Sequence, residues 1–174
     1  MNLEYKNLLD ETFSPDSRVW IYQSNRLFSV NEALAIEDLL NDFTAKWLSH
    51  GVPVKGAGYL FFGQLIILMA DEKATGVSGC STDSSVRLIK DIEQKFGVNM
   101  FDRTTLAFVV KDKSGSYRIQ VLPLSQVQYA FDNRFINSHT LYFNNLVQTK
   151  EELENNWLIP IKDSWLSKRI TVNV

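Results

Sequence analysis

Functional sites are commonly built from cysteine and histidine, and this chain has little of either. It contains one cysteine, Cys80, and two histidines, His50 and His139. A lone cysteine cannot form an internal disulfide, and no Cys/His cluster has the spacing of a structural zinc site. We therefore expect no disulfide, no metal ion and a reducing, cytoplasmic location.

The sequence also lacks a strong charge and a long apolar run. Its formal net charge is -2 and its basic residues are scattered, so the basic field that nucleic acid requires is missing. The longest apolar run, residues 59–70, is too short to cross a bilayer, and the N-terminal stretch MNLEYKNLLDETF does not have the pattern of a signal peptide. We expect neither nucleic acid nor a membrane as a partner.

Two nucleotide-binding motifs are missing as well. The stretch TGVSGCST lacks the lysine that a P-loop carries directly after its second glycine. The pair Gly56 and Gly58 is followed by Phe61 where a dinucleotide fingerprint requires a third glycine. These departures exclude an ATPase and a dinucleotide enzyme, and we expect no cofactor.

What the sequence does contain is enough apolar material for one domain. Its 174 residues are 45% hydrophobic and 12% aromatic, and no repeat or linker divides them. We predict a single domain over residues 1–174 that begins with a polar, weakly ordered lead-in over residues 1–17.

Helix signals occur at two main places. Ser29 and Glu32 match a capping box, and an apolar stripe at intervals of three and four follows until Gly51, which predicts a helix over about residues 30–49. A second stripe predicts a helix over about 82–96, closed by Gly97. The two stripes consist of Ala33, Ile36, Leu40, Phe43 and Trp47, and of Val86, Ile89, Ile92 and Phe96.

Strand signals occupy most of the remaining chain. Residues 19–22 read as a strand, residues 54–70 as two strands with a break near Gly63, and the run 65–69 as a central strand buried on both faces. Residues 106–110 and 117–121 flank a turn at Gly115 and predict a hairpin. An edge strand at 140–143 and short helices after Ser125 and Thr149 complete an α+β fold with a mainly antiparallel sheet.

The only cysteine lies in the segment SGCSTDSS, residues 78–85, at the start of the second helix. With Ser81 as N-cap, the free amides of the first turn face Gly79 and Cys80 and favour an anion or a thiolate. The Asp83 carboxylate offers an alternative, since it can occupy the same amides itself. The candidate ligand-binding residues are Ser78, Gly79, Cys80, Ser81, Thr82, Asp83, Ser84 and Arg87.

Two functions follow from this segment. The first is a non-enzymatic domain that binds a protein partner or a small anion at the 75–85 loop. The second is a hydrolase or acyl-transfer enzyme with Cys80 as nucleophile, His50 as base at the end of the first helix, and Asp71 or Asp83 as the orienting carboxylate. A packed thiol, an exposed helix-end histidine and a strand-end turn residue explain the same three residues without chemistry.

Two arginines and the aromatic residues near the C-terminus are further candidates for binding. Arg87 and Arg103 are candidate forks for a carboxylate or phosphate, although Arg87 also stands one helical turn after Asp83 and can pair with it. Aromatic residues of the tail from Trp157 to Trp165 suggest a contact surface in a homo-oligomer.

Several strings together resemble a small bacterial family of proteins of about this size: VWIY at 19–22, WLSHG at 47–51, DE at 71–72, SGCSTDSSVR at 78–87, FDR at 101–103 and DSW at 163–165. The resemblance spans about residues 20–165, and the pattern SGCSxDSSxR is its most specific part. Members of that family are uncharacterised and are sometimes labelled "ABC transporter ATPase", a label that the missing P-loop does not support. The resemblance implies a cytoplasmic bacterial protein and directs attention to the Cys80 loop.

Overall fold

The computed structural model describes residues 2–71 and 79–171, and of residues 79–81 it describes the backbone. The α-helices are α1 (Val30–Lys46), α2 (Gly79–Phe96), α3 (Val127–Asp132) and α4 (Lys150–Asn156). The strands are β1 (Arg18–Gln23), β2 (Leu48–Ser49), β3 (Val52–Pro53), β4 (Gly56–Phe61), β5 (Leu65–Ala70), β6 (Thr105–Lys111), β7 (Tyr117–Pro123), β8 (Leu141–Phe143) and β9 (Leu158–Pro160). Single 3-10 turns occupy Tyr5–Leu8, Leu124–Gln126, Ile161–Asp163 and Trp165–Lys168.

The strands form three antiparallel sheets in the described chain. A three-stranded sheet has the order β1-β5-β4, a four-stranded sheet has the order β7-β6-β8-β9, and β2 and β3 form a small hairpin. In the first sheet, Arg18 pairs with Ala70 and Gly56 pairs with the same residue from the other side. The predicted α+β class with antiparallel pairing is confirmed.

Side chains alternate along the strands, and this alternation sorts the core into three apolar layers. Ile66 of β5 faces α1 and α2, whereas its neighbour Ile67 faces the four-stranded sheet. Val109 of β6 meets Ile67 in that middle layer, and Phe108 faces the opposite way, toward α3 and the C-terminal turns. The domain is therefore a four-layer stack of helices, sheet, sheet and helices.

Glycine allows α1 to approach β4 closely. A Cβ placed on Gly56 would lie 2.5 Å from Trp47 Cε3, and one on Gly58 would lie 3.0 Å from Leu40 Cβ. Both distances are shorter than ordinary carbon contacts, so the strand face under α1 requires residues without a side chain.

The strongest local signals are confirmed. Every residue of β5 is buried, and β5 is the central strand of its sheet. Ser29 and Glu32 form the complete capping box at the start of α1. The β6–β7 hairpin turns through Gly115, which has a φ of 82°. Each of these features depends on residues that are neighbours in sequence, which explains why the sequence predicts them.

The end of α1 differs from the prediction. The helix stops at Lys46, and residues 48–53 form the β2–β3 hairpin instead of a last helical turn. His50 and Gly51 are the two turn residues, with φ values of 51° and 80°. Positive φ at both central positions matches the twist of a two-residue hairpin. His50 is therefore exposed on a hairpin turn, and the prediction of a helix-end histidine is wrong.

The lead-in contributes to the core. Tyr5, Leu9 and Phe13 are buried in the layer between the two larger sheets. Two lysines hold the following turn, since Lys150 Nζ donates to the Phe13 carbonyl at 3.1 Å and Lys55 Nζ donates to the Thr12 carbonyl. Main-chain acceptors bound by partly desolvated ammonium groups give this segment a defined position.

The C-terminal third also contains two corrections. β8 lies inside its sheet, between β6 and β9, and is not an edge strand. At α4, Thr149 accepts from the Glu152 N–H as predicted, but the Glu152 carboxylate accepts from the N–H of Gln148, one residue earlier than in a capping box.

Candidate functional site

A cleft opens beside β1, which is an edge strand of the three-stranded sheet. It consists of two cavities, of about 90 Å³ and about 190 Å³. The two cavities share five lining residues and therefore adjoin one another: Ile21, Tyr22, Arg103, Asn145 and Leu146. We refer to this region as the β1 cleft. Its walls come from β1, the α2–β6 connection and the β8–α4 connection.

Arg103 is positioned by its neighbour in sequence, Asp102. The Asp102 carboxylate accepts from the Thr104 N–H at 2.7 Å, from the Thr104 hydroxyl at 2.6 Å and from the Thr105 hydroxyl. These bonds, the Thr104 hydroxyl first, hold the pKa of Asp102 below its ordinary value. Because Asp102 is committed to the loop, it is a poor partner for a further cation, and the loop fixes the backbone from which Arg103 projects.

The charges in the cleft are predominantly positive. Among the described residues that line it, the charged side chains are Arg18, Asp102 and Arg103. The Arg18 guanidinium lies 5.0 Å from the centre of the Trp20 ring. Arg103 is exposed, and no ion pair or hydrogen bond links its side chain to another part of the described chain. An uncommitted guanidinium in a concave site can bind a carboxylate or phosphate through two parallel hydrogen bonds.

Tyr22 connects the cleft to α2. Burial raises the pKa of the Tyr22 hydroxyl, and a side-chain hydrogen bond with Ser85 and the charge of Arg103 oppose this effect. Its ring packs edge-on against Phe101, with centroids 5.6 Å apart. The first turns of α2 therefore lie behind one wall of the β1 cleft.

A partly buried polar chain forms part of the floor. Asn145 Nδ2 donates to Gln23 Oε1 at 3.0 Å, and Gln23 Nε2 donates to the Thr105 carbonyl at 3.2 Å. At the other end, Trp157 Nε1 donates to Asn145 Oδ1 at 3.0 Å. This chain ties β1 to β6 across the two sheets, so the Asn145 and Gln23 amides are structural and their hydrogen-bonding groups are largely used.

The predicted 75–85 site lies largely outside what the structure describes. Ser78 falls in the gap between residues 71 and 79, and the side chains of Cys80 and Ser81 are outside the described part. The helix begins at Gly79, so the prediction of Ser81 as N-cap is wrong: three more residues, 79–81, adopt helical backbone. Further along, the Ser85 hydroxyl donates to the Thr82 carbonyl at 2.7 Å within the helix.

The remaining residues of that predicted site lie on the surface of α2. Asp83 and Arg87 are exposed, Thr82 and Ser84 are half-buried, and the ion pairs within the described chain do not include Asp83 with Arg87. Of the two predicted arginine forks, the structure places Arg103 in a cleft and leaves Arg87 on the exposed helix face.

The proposed catalytic trio is not assembled by the described contacts. His50 lies on the β2–β3 turn, and Asp71 lies after β5, where its carboxylate is 3.8 Å from Lys55 Nζ. No hydrogen bond joins His50 to Asp71 among the described residues. Because the Cys80 side chain lies outside the described part, the thiol-enzyme hypothesis stays a prediction.

The aromatic tail is used inside the molecule. Trp157 is 0% exposed and packs against Tyr5, Phe62 and Phe143. Trp165 is half-buried, and its Nε1 donates to the Tyr142 hydroxyl at 3.1 Å. The suggestion that this tail covers a neighbouring subunit is therefore wrong for Trp157, because its side chain is fully buried in the core of its own chain.

Within residues 2–71 and 79–171, no group of three or more His, Cys, Asp or Glu side chains could hold a metal ion. No helix in the same part of the chain is both long and apolar enough to span a membrane. Comparison with protein-family models, with curated proteins and with solved structures found no match.

The sequence singled out Arg103 but gave no indication of the rest of the cleft. Tyr22, Asn145 and Leu146 come from segments far apart in the chain, and no local motif connects them. Their proximity results from β1 being an edge strand and from the stacking of the two sheets, which are tertiary features.

Proposed function

We propose that the protein is a binding domain for a small organic anion, which occupies the β1 cleft with its anionic group on Arg103. The observation that carries the proposal is that Arg103 lines both adjoining cavities while having no ion pair within the described chain. The start of α2, which the sequence indicates as a candidate site, would hold one wall of the cleft in place through the hydrogen bond between Ser85 and Tyr22.

The chemistry of the walls favours a ligand with an apolar part. The side chains of Ile21, Phe101 and Leu146 line the cleft next to the cation. Small-molecule sites typically combine such apolar walls with a few polar groups that fix orientation. A carboxylate or phosphate monoester on a small ring or short chain has this composition.

The volume of the cleft limits the size of the ligand. Its larger cavity, of about 190 Å³, is slightly bigger than the roughly 150 Å³ cavity that accommodates benzene in an engineered core. A single ring bearing an anionic group fits this space, whereas a dinucleotide is too large. We therefore expect phenyl phosphate to bind more tightly than inorganic phosphate.

The test is to titrate the full chain with phenyl phosphate, benzoate and inorganic phosphate in turn. Two-dimensional amide NMR spectra are recorded at each step of each titration. We expect saturable shifts at Tyr22, Arg103 and Asn145. Arg103→Gln should weaken phenyl phosphate binding by about tenfold or more, as expected when a charge-assisted pair is lost.

Two further variants locate the site. Arg87→Gln removes the other predicted fork from α2, and Lys90→Gln removes one positive charge from the same helix without touching the cleft. Only Arg103→Gln should reduce affinity. A loss confined to Arg87→Gln would place the anion at the α2 segment, and equal losses in all three variants would show non-specific charge attraction; either result contradicts the proposal.

A further inference from the structure

A second concave region lies on the other side of the four-stranded sheet, around the exposed side chain of Phe135. Two grooves flank this residue. One, of about 350 Å³, lies between β7 and α3 and includes Leu122, Tyr129 and Ile136. The other, of about 570 Å³, lies beside β6 and β8 and includes Tyr117 and Leu141. Phe135 lines both, and we call the whole region the Phe135 surface.

Large aromatic side chains project from this surface into solvent. Phe135 is 68% exposed, Tyr129 is 65% exposed and Tyr117 is 42% exposed. Aromatic residues next to grooves are the typical anchors of protein interfaces, where they bury much area at low entropic cost. Apolar groups concentrated in this way indicate a binding surface more strongly than apolar residues scattered singly.

The backbone holds Phe135 outward by a strained helix end. Phe135 N–H donates to the Ala130 carbonyl at 2.9 Å and Arg134 N–H donates to the Phe131 carbonyl at 3.0 Å, the bond pattern of a Schellman motif. Arg134 occupies the position that favours glycine, with a φ of 60°. The residue that follows such a motif commonly packs back on its helix, but Phe135 remains largely exposed.

The charges of the two grooves have one sign. Lys111 and Arg118 line the first groove, and Lys111 also lines the second, whereas no carboxylate is among the described lining residues of either. Arg118 is held in place because its Nη1 donates to Gln120 Oε1 at 2.7 Å. The nearby Asp112 carboxylate accepts from Ser114 and Ser116 inside the hairpin turn.

The strand β7 forms an open edge of the four-stranded sheet. β7 is the terminal strand in the order β7-β6-β8-β9, so no described strand pairs with it on the side away from β6. An extended peptide can add to such an edge through main-chain hydrogen bonds and place alternate side chains into the adjoining groove. Pairing with a second copy would bring the basic residues of both copies together, which disfavours that occupant.

We infer that the Phe135 surface binds a short extended segment of a partner protein in which acidic side chains alternate with aromatic or aliphatic ones. The apolar side chains occupy the grooves beside Phe135, and the acidic side chains pair with Lys111 and Arg118. This interaction is independent of the β1 cleft, since the linings of the two regions share no residue.

The test uses a fluorescein-labelled peptide, EFDLEFD, and measures its anisotropy as the full chain is added. We expect saturable binding that weakens as salt is raised, because the ion pairs lie at an exposed rim. Phe135→Ala and Arg118→Glu should each weaken binding by about tenfold or more. Both side chains are exposed, so the variants should keep the fold, which circular dichroism checks.

Matched controls define the site. Leu8→Ala removes an equally exposed apolar side chain elsewhere and should leave affinity unchanged. Arg103→Gln should also have no effect, which separates this inference from the proposed anion site. The peptides KFKLKFK and ESDSESD should not bind, since each lacks one of the two required features.

Three results would overturn the inference. The first is the absence of saturable EFDLEFD binding at millimolar peptide. The second is a concentration-dependent dimer in sedimentation equilibrium that Phe135→Ala abolishes, because the occupant would then be a second copy. The third is tighter binding of a short oligothymidylate than of EFDLEFD at the same residues, which would make the surface a nucleic-acid site.

Discussion

Three non-glycine residues of the described chain adopt left-handed backbone conformations, and each lies where the chain reverses direction. They are His50, Phe62 and Arg134, with φ values of 51°, 55° and 60°. A side chain in this region costs roughly 1–2 kcal/mol relative to the right-handed region. At His50 and Phe62 this cost is offset because the positive φ closes a hairpin. At Arg134 it is offset because the positive φ ends α3.

Replacing Arg134 with glycine should therefore stabilise the protein. We expect Arg134→Gly to raise the free energy of unfolding by a few tenths to about 1 kcal/mol, since relief of the strained φ exceeds the greater entropy that glycine gains in the unfolded chain. Urea denaturation followed by circular dichroism measures the change.

Arg134→Ala provides the comparison for this prediction. Alanine removes the same side chain but retains a Cβ, so it should give no stabilisation. An equal gain from alanine and glycine would show that the effect comes from loss of the arginine charge and not from the backbone.

Single residues also show what can be read directly from the sequence. Gly115 predicts a hairpin turn because glycine is the usual residue there, and the structure confirms it. The apolar stripe that continues toward Gly51 predicts a helix end at His50, because the sequence carries no Asn-Gly or Asp-Gly pair that would mark the turn. Sequence patterns identify a reversal when its residues are the common ones and miss it when they are not.

At the scale of elements, Arg26 joins the loop after β1 to both large helices. Its guanidinium donates to the Glu32 carboxylate at 2.9 and 2.8 Å, in the first turn of α1, and to the Phe96 carbonyl at 2.7 Å, at the end of α2. Glu32 also accepts from the Ser29 N–H. One bidentate ion pair therefore combines helix capping with the contact between α1 and α2.

This arrangement predicts a specific loss of stability in acid. The hydrogen bonds from Arg26, followed by the Ser29 N–H, lower the pKa of Glu32 from 4.5 to about 2. A lowered pKa in the folded state means that the contribution is present above pH 4.5 and is lost as the pH falls toward about 2. We expect the stability difference between the parent protein and Glu32→Gln to shrink across this window in urea denaturation series.

Subtracting the free energy of unfolding of Glu32→Gln from that of the parent protein isolates the contribution of Glu32, because the other carboxylates are present in both proteins and their effects cancel. Arg26→Gln serves as the control, since it removes the main cause of the lowered pKa and should abolish the same pH-dependent component. A difference that stays constant between pH 4.5 and about 2 would contradict the assigned role.

Elements were predicted more successfully than their arrangement. β5, the β6–β7 hairpin and the start of α1 follow from residues that are adjacent in sequence. The interior position of β8 and the existence of two stacked sheets depend on pairings between distant segments, which no local pattern specifies. For the same reason the sequence does not predict the β1 cleft, although it does indicate Arg103 as a candidate.

At the scale of the molecule, the two larger sheets share one apolar layer. Trp157 lies in that layer and contacts Phe61 before the β4–β5 turn and Phe143 of β8, with ring centres 5.9 and 5.2 Å away. Its indole also donates to Asn145. Because neither sheet can keep its inner face covered without the other, they should unfold together.

Trp157→Phe tests this coupling. The substitution leaves part of the indole volume empty and removes the partner of Asn145 Oδ1, which should cost about 2–4 kcal/mol. We expect native-state hydrogen exchange to show equal losses of protection in β5 and β6. Reduced protection in one sheet with an unchanged value in the other would mean that the sheets are separate cooperative units.

The position of the N-terminal segment has a consequence for biosynthesis. The Tyr5 hydroxyl donates to the carbonyl of Leu153, 148 residues later in the chain. β1 similarly has to wait for β5, its hydrogen-bonding neighbour, to be translated. Tyr5, Leu9 and Phe13 are thus translated long before their native partners, and during that interval they remain available to a nascent-chain chaperone.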